Sequence, residues 1–284
     1  MLIFKYKWGC ETEFKHIDKK FSILEIDCAP MDPIETIPEN LIVIKFGYDC
    51  GFNGTLDGLH KKVVKLELNS DFDQPIDNLS PNLRELKLGG AFNQPLDNLP
   101  NSLENLTLYS KNYTYQLNNL PNSLIYLELS GDFNQPLDNL PESLKFLKLG
   151  HKYNKQLDNL PANLYELEFG MYYDLPLDNL PKGLINLKLG SSFKQPLNNL
   201  PPSLRKIKLS NCYNHPIDNF PDSIEEIYFG LNYILPITKL PKSIRKIQIE
   251  NPKYNSYGYL KSKFPNIYKA IPERTDIFCT FLFF

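Results

Sequence analysis

The chain has 284 residues, 42% of them hydrophobic and 23% charged, and a formal net charge of −2. That is a globular balance with length enough for a sizeable core. The near-neutral charge excludes a general electrostatic attraction to nucleic acid or anionic lipid.

The first residues, MLIFKYKWGCETEF, hold no long apolar region and no small-residue cleavage site, so they do not read as a secretory signal. No apolar run reaches the roughly 18–20 residues that span a bilayer. The five cysteines, Cys10, Cys28, Cys50, Cys212 and Cys279, are odd in number and form no C-x-x-C pair. This pattern suits free thiols in a reducing compartment, with a disulfide among Cys10, Cys28 and Cys50 as the lesser reading. A cytoplasmic location is expected. Leu2, Phe4 and Tyr6 alternate like an edge strand and Trp8 follows, so residues 1–40 are expected to cap the array of repeats that begins after them.

From residue 41 to residue 250 the chain repeats itself. The triplet Leu-x-x-Leu-x-Leu occurs at Leu83, Leu86 and Leu88, at Leu103, Leu106 and Leu108, and at Leu124, Leu127 and Leu129. It persists to Ile244, Ile247 and Ile249, and looser copies begin at Leu41, Ile44 and Phe46, or even at Phe21, Leu24 and Ile26. The period is 20 residues, with one 21-residue step at Tyr109–Asn112. Apolar and polar residues alternate within each triplet and a turn follows, which predicts a short strand. One such strand cannot bury its apolar side alone; stacked copies bury a continuous core. Prolines recur at two places between the strands, for example Pro95 and Pro100, or Pro136 and Pro141. Proline inside a helix costs about 3 kcal/mol, so the connections are expected to be extended or turn-like. The predicted fold is mainly β: a right-handed solenoid of about 20-residue coils with one parallel sheet. A parallel β-helix with two or three strands per coil is the alternative.

The Leu-x-x-Leu-x-Leu strand and its Leu-Pro-x-Ser approach resemble a short leucine-rich repeat. The added signature Phe-Asn-x-Pro-Leu-Asp-Asn-Leu-Pro, as at Phe133–Pro141, is similar to the FNIP repeat family of social amoebae and giant amoebal viruses, over roughly Phe52 to Glu250. The resemblance implies a leucine-rich-repeat-like solenoid and little chemistry. Some members carry an F-box, which would imply a substrate receptor for a ubiquitin ligase. Here residues 1–40 contain Pro30, Pro33 and Pro38 and lack helical spacing, so no F-box is expected.

This chain departs from the ordinary leucine-rich pattern in its asparagine. The place three residues after the last strand leucine holds Ala91, Asp132, Lys152 and Tyr172 instead. An aromatic follows, and only then an Asn, not in every coil. The more regular column is Asn78, Asn98, Asn119, Asn139, Asn159, Asn179, Asn199 and Asn219. It is expected to turn inward and bond neighbouring turn backbones, the alternative being a surface Asx-turn.

Nothing points to an enzyme, cofactor or metal. The four histidines are scattered, and no phosphate loop, H-E-x-x-H helix or nucleophile elbow is present. Asp97, Asp138, Asp158 and Asp178 form a column best read as solvated turn carboxylates. If the triplet leucines point inward, the residues between them face outward. This exposes an apolar patch of Ile125, Tyr126, Phe146, Tyr165 and Ile185, and charge bands at 205–208, 225–226 and 245–246. Aromatic anchors rimmed by charge suit a protein-binding site. Lateral packing along the ladder and mutual charge compensation are the competing readings.

The tail, 251–284, abandons the repeat. Tyr259–Ala270 reads as a short broken helix and Ile277–Phe284 as strongly apolar, together a cap or a sticky patch. The leading expectation is a non-enzymatic protein-interaction scaffold with an unidentified protein partner and no nucleic acid or membrane. The alternatives are a ubiquitin-ligase adaptor and a structural protein that self-associates through its tail.

Overall fold

A computed structural model describes residues 1–7, 13–30, 33–251, 260, 262 and 268–270. Each leucine triplet forms one strand, and the strands join in a single 14-stranded sheet in strict sequence order. They run from β1 (Leu2–Tyr6), β2 (Phe21–Ile26) and β3 (Val43–Phe46) through β4 (Lys65–Glu67), β5 (Glu85–Leu88) and β6 (Asn105–Leu108). β7 (Tyr126–Leu129), β8 (Phe146–Leu149), β9 (Glu166–Glu168) and β10 (Asn186–Lys188) form the middle. β11 (Lys206–Lys208), β12 (Glu226–Phe229), β13 (Lys246–Ile249) and β14 (Tyr268–Ala270) complete it.

Every pairing is parallel, with like residues side by side: Leu86 beside Leu106, Leu106 beside Leu127, Leu127 beside Leu147. The 21-residue step leaves this register intact, so its extra residue is absorbed outside the sheet. Tyr109 and Lys111 still donate to Leu88 O and Gly90 O of the preceding coil. From β1 to β13 the described connections contain no α-helix; two short 3-10 helices, Phe14–His16 and Ile34–Thr36, serve the first coils. In later coils proline shapes the turn into the strand, its carbonyl accepting from the N–H three residues on, as in Leu124 N–H to Pro121 O.

Residues 1–40, expected as an N-terminal cap with an edge strand, contribute β1 and β2 to the sheet, and β2 pairs with β3 in the common register. In the segment expected as a C-terminal cap, β14 pairs with β13 and extends the sheet. Within the broken helix expected over Tyr259–Ala270, Leu260 and Ser262 are helical, and Tyr268–Ala270 is strand β14. Trp8, Cys10, Cys279 and the apolar Ile277–Phe284 lie outside the described residues. Cys28 and Cys50 are buried and Cys212 is exposed. No helix among the described residues is long and apolar enough to cross a membrane.

Two files of side chains stand out in the core. One is the triplet leucines, such as Leu86, Leu106 and Leu127, all fully buried; each contributes about 1.5–3 kcal/mol by leaving water. The other is aromatic: Phe52, Phe72, Phe92, Tyr113, Phe133, Tyr153, Tyr173 and Phe193 stack coil on coil. Their centroids lie 6.0–6.4 Å apart, against about 4.8 Å between paired strands. The coils fan apart on the aromatic side, and the sheet lies on the inside of the curve.

Candidate functional site

The outward residues of the strands form files across the sheet. In the file nearest the start of the strand, Lys65 is paired with Glu85 at 2.8 Å and Lys206 with Glu226 at 3.3 Å. In the central file, Lys87 meets Glu67 at 3.3 Å, Lys148 meets Glu128 at 2.8 Å and Lys188 meets Glu168 at 3.0 Å. Lys188 also reaches Glu166 at 2.6 Å. The charge bands pair with one another: Arg205 with Glu225 at 2.7 Å, and Arg245 with the same Glu225 at 3.5 Å. The face is therefore largely neutralised by contacts between adjacent coils. Each exposed pair contributes only about 0–1 kcal/mol, but together they leave few cations free for an external anion.

The expected apolar patch is contiguous. Tyr126 sits beside Phe146 in register, and Phe146 meets Tyr165 with ring centroids 5.8 Å apart and planes inclined 59°. Tyr165 is 42% exposed; Ile125, Tyr126, Phe146 and Ile185 are half-buried. Tyr126 is the most constrained member. Its hydroxyl donates to Glu128 Oε2 at 2.8 Å, and Glu128 also receives Lys148 and, at 3.0 Å, Ser130 Oγ. Burial acts to raise the Glu128 pKa, but the hydrogen bonds from Lys148 and Tyr126 outweigh it and hold the carboxyl below its ordinary value. Burial and the same carboxylate push the Tyr126 phenol up, so it stays neutral. The free apolar surface is thus Ile125, the Phe146–Tyr165 pair and Ile185.

The asparagine column lies elsewhere than expected. Asn78, Asn98, Asn119, Asn139, Asn159, Asn179, Asn199 and Asn219 are all exposed. Asn78, Asn98, Asn119, Asn139 and Asn179 bond side chains of the preceding coil, not backbone. Asn98 Nδ2 donates to Asp77 at 2.9 Å, Asn119 to Asp97 at 3.0 Å and Asn179 to Asp158 at 3.2 Å. Asn139 reaches Asn118 Oδ1 at 3.4 Å. The inward reading fails because the adjacent leucines, such as Leu96 and Leu99, fill the interior at that bend.

The backbone ladder is carried by the residue after each stacked aromatic. Asn93 N–H donates to Asp73 Oδ1 at 2.8 Å, and Thr114 N–H to Asn93 Oδ1 at 2.9 Å. Asn154 N–H donates to Asn134 Oδ1 at 3.0 Å and Lys194 N–H to Asp174 Oδ1 at 2.9 Å. Asn and Asp both serve as acceptors here because the contact needs only a short side-chain oxygen that accepts. Reading this place for Asn alone hides it; reading it for an oxygen acceptor reveals it. A second ladder comes from the Pro-x-Ser turns, where Ser102, Ser123 and Ser143 donate to Leu83 O, Leu103 O and Leu124 O at 2.6–2.7 Å.

The FNIP Repeat family model matches residues 72–111, 92–132, 112–152, 133–172 and 173–212. The chain carries FNIP repeats. The aromatic file and the acceptor ladder are the structural content of the Phe-Asn dipeptide of this FNIP repeat protein. Among solved structures it is similar to CroV588, described as a novel circular LRR protein structure, with 29% identity and a TM-score of 0.80. That match covers 89% of this chain and 41% of CroV588, so the chain spans well under half the length of that protein. A leucine-rich repeat protein from Bacteroides ovatus ATCC 8483 matches at 14% identity and a TM-score of 0.23, covering 87% of this chain and 83% of its own. A search among curated proteins returned no match. The likeness to a circular repeat protein agrees with the fanning measured on the aromatic file.

Proposed function

We propose that this FNIP repeat protein is a non-enzymatic scaffold in the cytosol that holds a protein partner against the inside of its curved sheet. Ile125, Tyr126, Phe146, Tyr165 and Ile185 form the contact. The observation that carries this reading is the Phe146–Tyr165 pair, apolar and partly open on a face whose charges are otherwise matched to one another. Solenoids of this class present extended surfaces to partners, and aromatic anchors within a polar rim supply most of the energy of such contacts. The paired cations weigh against an anionic polymer, whose binding depends on free Lys and Arg.

The test is capture from cytosolic extract on immobilised wild type and on a Phe146→Ala, Tyr165→Ala variant with an unchanged circular dichroism spectrum. A protein held by the wild type and released by the variant supports the reading. Identical captures with both would mean that the aromatics serve only lateral packing.

A further inference from the structure

Beside the apolar patch, an open trough of about 710 Å³ runs along the array past the C-terminal ends of the strands. Its floor is Ser130, Gly150, Gly170, Gly190 and Ser210, the residues that directly follow the strand leucines. The glycines are there for a steric reason. A Cβ on Gly170 would run into the carbonyl oxygen of Gly150, and one on Gly190 into that of Gly170. The floor is therefore bare backbone at its three glycines. Where the same place holds Tyr109, 46% exposed, the trough ends, and Glu250 closes the other side.

Its dimensions and charge define an occupant. Ser130 to Ser210 is four coil steps, about 19 Å at roughly 4.8 Å per step, which an extended chain covers with about six residues. The central file of the strand face forms one wall. There Lys148 and Lys188 are bound to Glu128 and Glu168, but Lys208 has no ion pair among the described residues. From Glu25 to Gln248 it is also the one member of that file that is exposed. Glu250, likewise without an ion pair among the described residues, stands two coils beyond Ser210, about 10 Å away.

We infer that this trough seats an extended polypeptide segment, with a carboxylate against Lys208 and a basic side chain toward Glu250. This rests on the scaffold reading and assigns the partner's chemistry: one strand's width of chain carrying an acidic and a basic residue two or three positions apart. The bare floor lets that backbone approach closely. The lone cation supplies the charge complementarity that selects it.

The experiment is panning of a library of random heptapeptides, displayed between glycine-serine linkers, on the wild type and on Ser191→Trp. Ser191 is an exposed rim residue, and the indole fills the trough from outside the core. The wild type is expected to enrich peptides with an acidic and a basic residue, and Ser191→Trp to enrich none. A fluorescein-labelled copy of an enriched peptide is expected to lose about tenfold in affinity for Lys208→Glu by fluorescence anisotropy. If Ser191→Trp does not fold, Met171→Arg on the same rim replaces it. No enrichment on the wild type, equal enrichment on both proteins, or an affinity unmoved by Lys208→Glu overturns the proposal. Peptide binding and capture through the apolar patch are separate readouts. Loss of capture specificity with persistent peptide binding would overturn the patch alone.

Discussion

Phe133 and Glu128 stand in the same coil and answer to different neighbours. Phe133 is fully buried between Tyr113 and Tyr153, with ring centroids 6.1 and 6.2 Å away. The equivalent place in every coil from Phe52 to Tyr233 holds Phe or Tyr. The file of Glu128 holds Glu67, Lys87, Thr107, Lys148, Glu168, Lys188, Lys208, Tyr228 and Gln248. Inside, each coil meets the same surroundings above and below, so one side-chain shape serves throughout. Outside, each residue is constrained only by the coil before and the coil after. Composition there is free to vary, and the variation that neighbours do not absorb is available to a partner.

The sharpest break of this contrast is Phe133→Ala. It should cost about 3–5 kcal/mol through lost burial and the cavity left between two rings, read as a lower denaturant midpoint. Phe146→Ala, on the outer face, should cost about 1 kcal/mol or less while weakening capture of a partner.

Acid titration tests the outer file. Glu128 has a folded pKa below its unfolded value, so its stabilisation is present above the unfolded value of about 4.3 and is lost as pH falls through the lowered folded value. Melting curves between about pH 6 and pH 2 should therefore show a smaller acid loss in Glu128→Gln than in wild type.

The interior file is not uniformly apolar, since the rings of Tyr113, Tyr153, Tyr173 and Tyr213 bring buried hydroxyls into it. The Tyr153 hydroxyl is buried without a hydrogen-bond partner among the described residues, and burial raises its pKa. Tyr153→Phe removes a desolvated group while keeping the ring, and should raise stability by about 1 kcal/mol. A fall in the denaturant midpoint would mean that the hydroxyl is bonded. The two asparagine columns give the finest distinction. Asn93→Ala withdraws the acceptor of Thr114 N–H and should cost about 1 kcal/mol. Asn98→Ala removes an exposed contact to Asp77 and should change stability by less than about 0.5 kcal/mol.

Much of this architecture was legible in the sequence. The triplet Leu86, Leu88 and its copies specify strand, facing and period, because alternation and a fixed repeat leave one arrangement that buries every leucine. The recurrent prolines exclude helix from the connections. The patch residues were legible as outward positions for the same reason. The asparagine column was not: Asn98 recurs as regularly as any core residue, yet it lies in solvent on an aspartate. Regularity marks a repeated environment, not a buried one. In residues 1–40 the alternation of Leu2, Phe4 and Tyr6 and the loose triplet Phe21, Leu24 and Ile26 marked the strands, and the pairing of β1 with β2 and of β2 with β3 shows that they belong to the same sheet.

The sequence by itself determined the period, the strand in each coil, the buried leucines and the non-helical course of the proline-bearing connections, since these result from local alternation and steric exclusion. Only the tertiary structure decided which polar column bonds backbone, which charges cancel across coils, and that the curve brings the sheet to its inside. Those outcomes depend on distances between residues some 20 positions apart, and no pattern read along the chain contains them.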